Sequence, residues 1–205
     1  MNPANFQLDI GPSDYDIRHR FVTSAVWELP FGKGKKWLNA VGRAGDLVAG
    51  GWQLNGIASW QSGVRRSVGA PNTSTLGFIS QRADATGVPI YSEFGGIVPR
   101  EDFGGKNTAR YWFNPRAFAP TAPLKFGTSG RTIISGPSWW NFDLSAFKNF
   151  YFTETVYLQF RAEAFNGFNN VQFNPPDMNV VSATFATVQS AQRPRVMQLA
   201  LRLTF

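Results

Sequence analysis

The 205-residue sequence contains no cysteine and a single histidine, His19. The absence of cysteine excludes disulfide frameworks, thiolate nucleophiles and Cys-ligated metals. One histidine gives no basis for a His-based metal site or proton relay, and nothing marks a nucleophile elbow near any serine. The sequence therefore predicts no catalytic residue, no metal site and no cofactor, and the protein is not expected to be an enzyme.

Long apolar runs are also missing. No stretch approaches the ~18 residues that a transmembrane helix needs. Residues 1–6 have neither the basic region nor the apolar core of a signal peptide. Because a secreted or outer-membrane protein requires such a signal, we expect either a cytosolic protein or a piece whose true N-terminus is missing.

The charge is unbalanced, with a formal net charge of +7, and its densest basic run is residues 33–36. A basic domain can bind nucleic acid, or its charge can face anionic lipid and lipopolysaccharide. No nucleic-acid-binding motif accompanies the charge. Nucleic acid is therefore not expected as a partner. Residues 32–36 could hold a phosphate, but a solvated turn after a strand is the favoured interpretation.

Five segments alternate in hydrophobicity with a period of two, which is typical of strands with two different faces. Each has about ten residues, close to the roughly 9–11 that a tilted strand needs to cross a bilayer. They cover residues 19–29, 52–61, 139–148, 156–165 and 197–205.

The last two segments show the alternation most clearly. In a membrane barrel the apolar face would meet lipid and the polar face a wet lumen. The expected lipid-facing residues are Leu158, Phe160, Leu199, Leu201 and Leu203. The expected lumen-facing residues are Arg161, Glu163 and Arg202, of which the first two could bind a ligand but more often form a charge pair worth ~0–1 kcal/mol. A soluble antiparallel sheet also has one apolar and one polar face, so period two alone does not separate the two classes.

The connections between the segments differ in length. Residues 149–155 form a short link and residues 30–51 a moderate one, whereas residues 62–138 and 166–194 form long links. Outer-membrane barrels combine short periplasmic turns with long extracellular loops. We therefore expect the first two links and the C-terminus to be periplasmic and the two long links to be extracellular.

Two motifs in the first long link could carry chemistry. Residues 104–108 resemble the end of a phosphate loop, but Arg100 stands where the pattern needs glycine, so a flexible loop is the better interpretation. The acidic pair Glu101 and Asp102 could hold a cation, but two adjacent acids without further oxygen ligands favour a solvated loop.

The sequence is rich in aromatic residues, with 19 Phe, 7 Trp and 5 Tyr. Several tryptophans lie near segment ends, where a barrel places its interface aromatics. In a soluble sandwich the same residues would form a core or a carbohydrate platform. The expected membrane-interface residues are Trp52, Trp60, Trp139 and Trp140.

An ordered set of short motifs resembles the C-terminal region of TonB-dependent, Oar-like outer-membrane receptors, the group often found with an N-terminal carboxypeptidase-regulatory-like domain. The motifs follow the family order and span nearly the whole chain. They are SDYDIRHRF at 13–21, ELPFGKG at 28–34, GWQLNG at 51–56, WFNPRAF at 112–118, GR at 130–131 with GP at 136–137, NFDLS at 141–145, FRAEAFNGFN at 160–169 and LRLTF at 201–205.

The resemblance implies a barrel of about 22 strands with a plug domain inside, and uptake of a bulky nutrient driven by the inner-membrane TonB complex. It also implies that the terminal Phe205 is a signal for the barrel-assembly machinery. The chain shows about five strands, no plug and no TonB box, whereas known membrane barrels have at least about 8 strands. We therefore expect a fragment or a truncated reading frame that does not transport alone.

The sequence thus predicts an all-β fold, in which residues 1–205 form an antiparallel transmembrane β-barrel segment with long extracellular loops. The expected location is the outer membrane, and the expected partners are its lipid, the rest of the barrel, the plug, the TonB complex and the assembly machinery. The alternative is a soluble carbohydrate-binding β-sandwich.

Overall fold

The computed structural model describes residues 5–71, 81–91, 98–99 and 110–205. They contain one α-helix, α1 (Arg43–Ala49), and two 3-10 helices, Phe6–Asp9 and Pro115–Ala117. All other regular elements are strands. In chain order these are β1 (Arg20–Glu28), β2 (Trp52–Gln61), β3 (Arg65–Arg66), β4 (Gly69–Ala70), β5 (Gln81–Arg82), β6 (Asp84–Ala85), β7 (Val98–Pro99), β8 (Arg110–Tyr111), β9 (Phe118–Ala119), β10 (Ile134–Ser135), β11 (Trp139–Tyr151), β12 (Tyr157–Phe165) and β13 (Val196–Thr204).

The five long strands form one sheet in the order β1-β2-β11-β12-β13, which confirms the predicted all-β antiparallel class. Their bounds lie within one residue of the five alternating segments, except that β11 continues three residues beyond 148, to Tyr151. The link between β11 and β12 is correspondingly shorter than predicted. The five long strands pair in the order in which they follow each other along the chain, with only short strands of other sheets between β2 and β11.

The chain divides into two compact units. Unit 2 comprises residues 20–61, 140–171 and 193–205 and holds nearly the whole five-stranded sheet. Unit 1 comprises the described part of residues 1–19, 62–139 and 172–192. Most of unit 1 therefore comes from the two long links of the sequence.

Unit 1 is built from two-stranded ribbons, in which β3 pairs with β10, β4 with β5, β6 with β9, and β7 with β8. The rings of Phe113, Phe118 and Phe185 meet edge to face in its core, with ring centroids 5.3–6.4 Å apart. Such contacts add to the energy of apolar burial. The buried apolar residues are Val68, Ala83, Phe113, Ala117, Phe118, Ile134, Phe185 and Ala186.

Among the described residues, no helix is long and apolar enough to span a bilayer.

Candidate functional site: a two-faced sheet

The register of the sheet aligns the apolar residues of neighbouring strands. Leu158 lies opposite Leu203, and Phe160 lies opposite Leu201. Directly opposed residues of antiparallel strands point to the same side of a sheet. The apolar face therefore continues across all the registered strands, and its further opposed pairs are Phe21–Trp60, Thr23–Ala58, Ala25–Gly56, Trp27–Leu54, Leu144–Ala164, Ala146–Ala162, Ala162–Leu199 and Ala164–Met197.

This apolar face is exposed where the sheet ends at β13. The exposed fractions of Leu199, Leu201 and Leu203 are 71%, 68% and 56%. Leu158 and Phe160, on the inner neighbour β12, are half-buried. Three leucines in a row at this exposure are unusual for a protein surface in water, where large contiguous apolar patches mark contact with a partner or a membrane.

Small side chains form a shallow trough in the middle of the apolar face. The trough has a volume of about 300 Å³ and is lined almost entirely by apolar atoms. Its lining residues include the small Ala146, Ala162 and Ala164 and the larger Leu144 and Leu199. Its shape and chemistry suit a flexible hydrocarbon chain rather than a polar ligand.

The opposite face carries a network of polar side chains. Asn55 Nδ2 donates to Ser145 Oγ at 3.1 Å across the β2–β11 boundary. Gln159 Nε2 donates to Asn149 Oδ1 at 2.9 Å between β12 and β11. Glu163 accepts a hydrogen bond from the Gln198 amide of β13. Side chains that bond across strands stabilise the register and leave a hydrophilic surface.

Arg161 and Glu163 do not form the expected charge pair. Arg161 Nε donates to Gln159 Oε1 at 2.7 Å, and its guanidinium lies 4.7 Å from the Phe147 ring centroid. In the described structure no salt bridge joins Arg161 to Glu163. The Arg161 guanidinium contacts the cross-strand Phe147 ring and the Gln159 amide, and Glu163 instead accepts from Gln198 of β13. Arg202, opposite Gln159, is exposed on this same polar face.

The four tryptophans predicted for the membrane interface lie near strand ends, and their contact with the interface stays a prediction. Trp52 begins β2, Trp60 is the second-last residue of that strand, and Trp139 and Trp140 begin β11. Trp52 and Trp60 are eight positions apart, which is about 26 Å along a strand. That spacing is close to the roughly 25 Å apolar band between the aromatic girdles of a membrane barrel. The terminal Phe205 follows β13 and is 94% exposed.

Sequence reasoning missed one cation on the apolar face. Lys148 lies opposite Phe160 and is only 4% exposed. Its ammonium donates to the Gly50 carbonyl oxygen and lies 5.1 Å from the ring centroids of both Trp52 and Phe150. Two aromatic faces and a carbonyl replace the water that a buried ammonium loses. The period-two pattern places position 148 on the apolar side, and this is the signal that could have found it.

A second missed feature joins two of the motifs that carry the family resemblance. Asn166 is buried and has φ of +51° in the turn after β12. Its backbone N donates to Asp143 Oδ1 at 3.0 Å, and its side chain exchanges two hydrogen bonds with the Asn170 backbone, both at 2.9 Å. Asparagine tolerates this left-handed conformation because its short amide bonds locally. The motifs NFDLS at 141–145 and FNGFN at 165–169 are therefore hydrogen-bonded to each other in the folded chain.

Unit 1 contains a separate polar cavity of about 470 Å³. Two ion pairs line it, Arg82 Nη1 to Asp9 Oδ1 at 2.5 Å and Arg131 Nη2 to Asp14 Oδ2 at 3.7 Å. A third arginine, Arg66, lines the same cavity. The two ion pairs connect Asp9 and Asp14 to arginines that lie far along the chain in the same unit.

Asp177 is an acidic residue of unit 1 with two hydrogen-bond donors close to its carboxylate. Its carboxylate accepts from the Asn179 backbone N at 2.9 Å and from Thr184 Oγ1 at 2.7 Å. Partial burial opposes the charged form, but the hydrogen bonds from Ser182, Asn179 and Thr184 outweigh it and lower the pKa of this carboxyl.

Two predicted motifs lie outside the described residues. They are the phosphate-loop-like stretch at 104–108, with Arg100, and the acidic pair Glu101 and Asp102. Within the described part of the chain, no cluster of three or more His, Cys, Asp or Glu side chains could hold a metal ion.

Comparison with known proteins agrees with the two-faced sheet. The sequence model of a family described as "Outer membrane beta barrel domain" matches residues 1–198. Neither the curated proteins nor the solved structures gave a match. The soluble-sandwich alternative is not supported, because the match assigns an outer-membrane location and the apolar face of β13 is exposed. The chain belongs to the outer-membrane β-barrel domain family, and its five-stranded sheet is a membrane-spanning part of such a barrel in the outer membrane.

Proposed function

We propose that this barrel segment is the C-terminal part of a TonB-dependent, Oar-like receptor that imports a bulky nutrient. The observation that carries the proposal is the ordered set of motifs along the chain, from SDYDIRHRF at 13–21 to LRLTF at 201–205. Two of these motifs are bonded to each other through Asp143 and Asn166. Motifs that are coupled in space support a shared fold better than isolated sequence matches do.

In this proposal the exposed apolar face meets acyl chains and the polar face lines the lumen. Leu158, Phe160, Leu199, Leu201 and Leu203 are then the lipid-facing residues, while Arg161, Glu163 and Arg202 are lumen-facing. Every backbone group in the membrane must be paired, so the edge strands β1 and β13 require further strands as partners. A plug domain and those strands would come from the remainder of the receptor.

Energy coupling separates a TonB-dependent receptor from a passive pore. The experiment is co-purification of the full-length product of this gene, in detergent, with the isolated periplasmic domain of TonB. We expect a complex that is lost when the N-terminal residues preceding the barrel are deleted. A folded, heat-modifiable barrel that does not bind the TonB domain contradicts the proposal and leaves the barrel assignment intact.

Phe205 is proposed to be the signal read by the assembly machinery, because it is 94% exposed at the end of edge strand β13. An unpaired edge can be captured by strand addition, with a pocket for the terminal ring. Pulse-chase assembly in cells, with and without Phe205, tests this role. Slow assembly of a deletion protein that refolds normally in vitro is expected, and unchanged assembly kinetics contradict it.

A further inference from the structure

The connection between β1 and β2 exposes large apolar side chains at a point where a soluble loop would hide them. The exposed fractions of Trp37, Leu38, Leu47 and Val48 are 48%, 50%, 49% and 73%. We call residues 30–51, which include α1, the anchor loop. Exposed apolar side chains that are grouped in one region can mark contact with a partner or a membrane.

The anchor loop is also basic. It contains four basic residues, Lys33, Lys35, Lys36 and Arg43, and one acidic residue, Asp46, so its formal charge is +3. All four basic residues are exposed. Only one of them is engaged in an ion pair in the described structure, Lys35 with Glu28 at 3.5 Å between Nζ and Oε2. The remaining positive charge is available to an anionic partner.

The anchor loop is an ordered structure rather than a slack connection. Lys33 N donates to Asp46 Oδ1 at 2.6 Å, and Trp37 N donates to the Pro30 carbonyl at 3.0 Å. The Phe31 and Trp37 rings lie 5.3 Å apart. Gly32 has φ of +112°, and a Cβ there would lie 2.6 Å from Asp46 Oδ1. The exposed apolar residues are thus held outward by the loop's own contacts.

The loop is fastened to the end of the membrane-spanning sheet. Trp52 Nε1 donates to the Val48 carbonyl at 2.9 Å, and Lys148 donates to the Gly50 carbonyl. Phe150, whose ring lies 5.1 Å from the Lys148 ammonium, belongs to the same end. The anchor loop therefore adjoins the aromatic residues at the edge of the apolar band, the level of the lipid headgroups.

We propose that the anchor loop lies in the headgroup layer and binds anionic phospholipid. Apolar side chains beside lysines and arginine are the combination by which interfacial segments bind anionic membranes. Lipid is favoured over a protein partner because the surface is continuous with the spanning sheet. The inference requires only that the sheet crosses the membrane, so it is independent of TonB coupling.

The experiment uses the full-length product of this gene, refolded into phosphatidylcholine vesicles with or without about 30% phosphatidylglycerol. A Val48→Cys variant, with any other cysteine replaced, carries an environment-sensitive fluorophore. Lipids with a nitroxide near the headgroup quench the fluorophore if it enters the interface. Strong quenching is expected in the anionic vesicles, and it should weaken as salt rises, since salt screens headgroup attraction.

A second variant tests whether the lysines of the anchor loop are needed for binding to anionic lipid. Lys33→Gln/Lys35→Gln/Lys36→Gln should remove most of the quenching that depends on anionic lipid, since each basic residue near such a surface is worth about a fivefold change in partitioning. The matched control, Arg18→Gln/Arg66→Gln/Lys125→Gln, removes as much charge from unit 1 and should leave the quenching unchanged. An unquenched label in both vesicles overturns the interfacial location. Equal quenching with and without anionic lipid, or in the lysine variant, overturns the binding of anionic headgroups.

Discussion

Unit 1 and the five-stranded sheet treat their apolar residues in opposite ways. In unit 1, Phe113 and Ile134 are fully buried, with 0% exposure. In the sheet, Leu199 and Leu201 expose 71% and 68% of their surface. The same residue chemistry is thus placed inside in one region and outside in the other. The difference fits the proposal of two solvents, in which unit 1 folds by removing apolar surface from water and the sheet would present its apolar face to lipid.

The largest effect expected from this comparison is in the core of unit 1. Phe113→Ala should destabilise unit 1 by about 3–5 kcal/mol, because a fully buried ring leaves a cavity. Hydrogen exchange of unit 1 amides in the full-length protein measures the loss. Phe173→Ala, at a half-exposed ring of the same unit, is the control and should change stability by less than about 1 kcal/mol. Equal losses in both variants would show that unit 1 has no specific core.

Arginine substitutions on the two faces of the sheet should differ in their cost to barrel stability. Leu201→Arg should lower the stability of the barrel by roughly 2–4 kcal/mol if this position faces the middle of the bilayer. Gln198→Arg, on the polar face beside Glu163, should have a small effect. The measurement is equilibrium folding of the full-length protein into lipid vesicles. Similar penalties at both positions would contradict a lipid-facing apolar face.

Substitutions in the turn after β12 should lower folding stability by an intermediate amount. Asn166→Ala should cost about 1–3 kcal/mol, because alanine is strained at positive φ and the bonds to Asn170 are lost. Asn166→Gly keeps the backbone conformation and loses only the side-chain bonds, so its cost should be smaller. Chemical denaturation of the refolded protein compares the two variants. A harmless alanine variant would mean that the turn does not constrain the sheet.

The smallest effect concerns pH and should be confined to unit 1. The pKa of Asp177 is lowered in the folded state, so its contribution is fully present above the unfolded pKa and is lost as pH falls through the folded pKa. Asp177→Asn should cost less than about 1.5 kcal/mol at neutral pH, and the cost should shrink in acid. Hydrogen exchange of unit 1 at several pH values tests this. A penalty that grows in acid would reverse the sign of the assignment.

Period-two alternation was sufficient to predict most of the sheet. Because each side chain in a strand points opposite to its neighbour, Leu158 and Phe160 could be assigned to one face and Arg161 to the other before any pairing was known. The observed register then places these faces in line with Leu203, Leu201 and Ala200. Whether the proposed lipid and lumen contacts exist remains a prediction.

The rest of the structure depends on contacts that the sequence does not encode locally. Phe113 and Phe185 meet in the core of unit 1 although they come from different long links with weak periodicity. Similarly, β2 and β11 are neighbours across residues 62–138. The burial of Lys148 requires both Gly50 and Trp52, which lie far away in sequence. Such partners are fixed by tertiary packing rather than by a local pattern.

The most direct test of the account is whether the anchor loop and the long link at residues 62–138 are accessible from opposite sides of the membrane, as the predicted topology requires. Lys33→Cys and Lys125→Cys place a thiol at an exposed lysine in each region of the full-length protein. On whole cells, an impermeant maleimide should label the thiol at position 125 and should label position 33 only after the outer membrane is permeabilised. The reverse pattern, or equal labelling of both positions on intact cells, would contradict a sheet that spans the membrane with its long links outside.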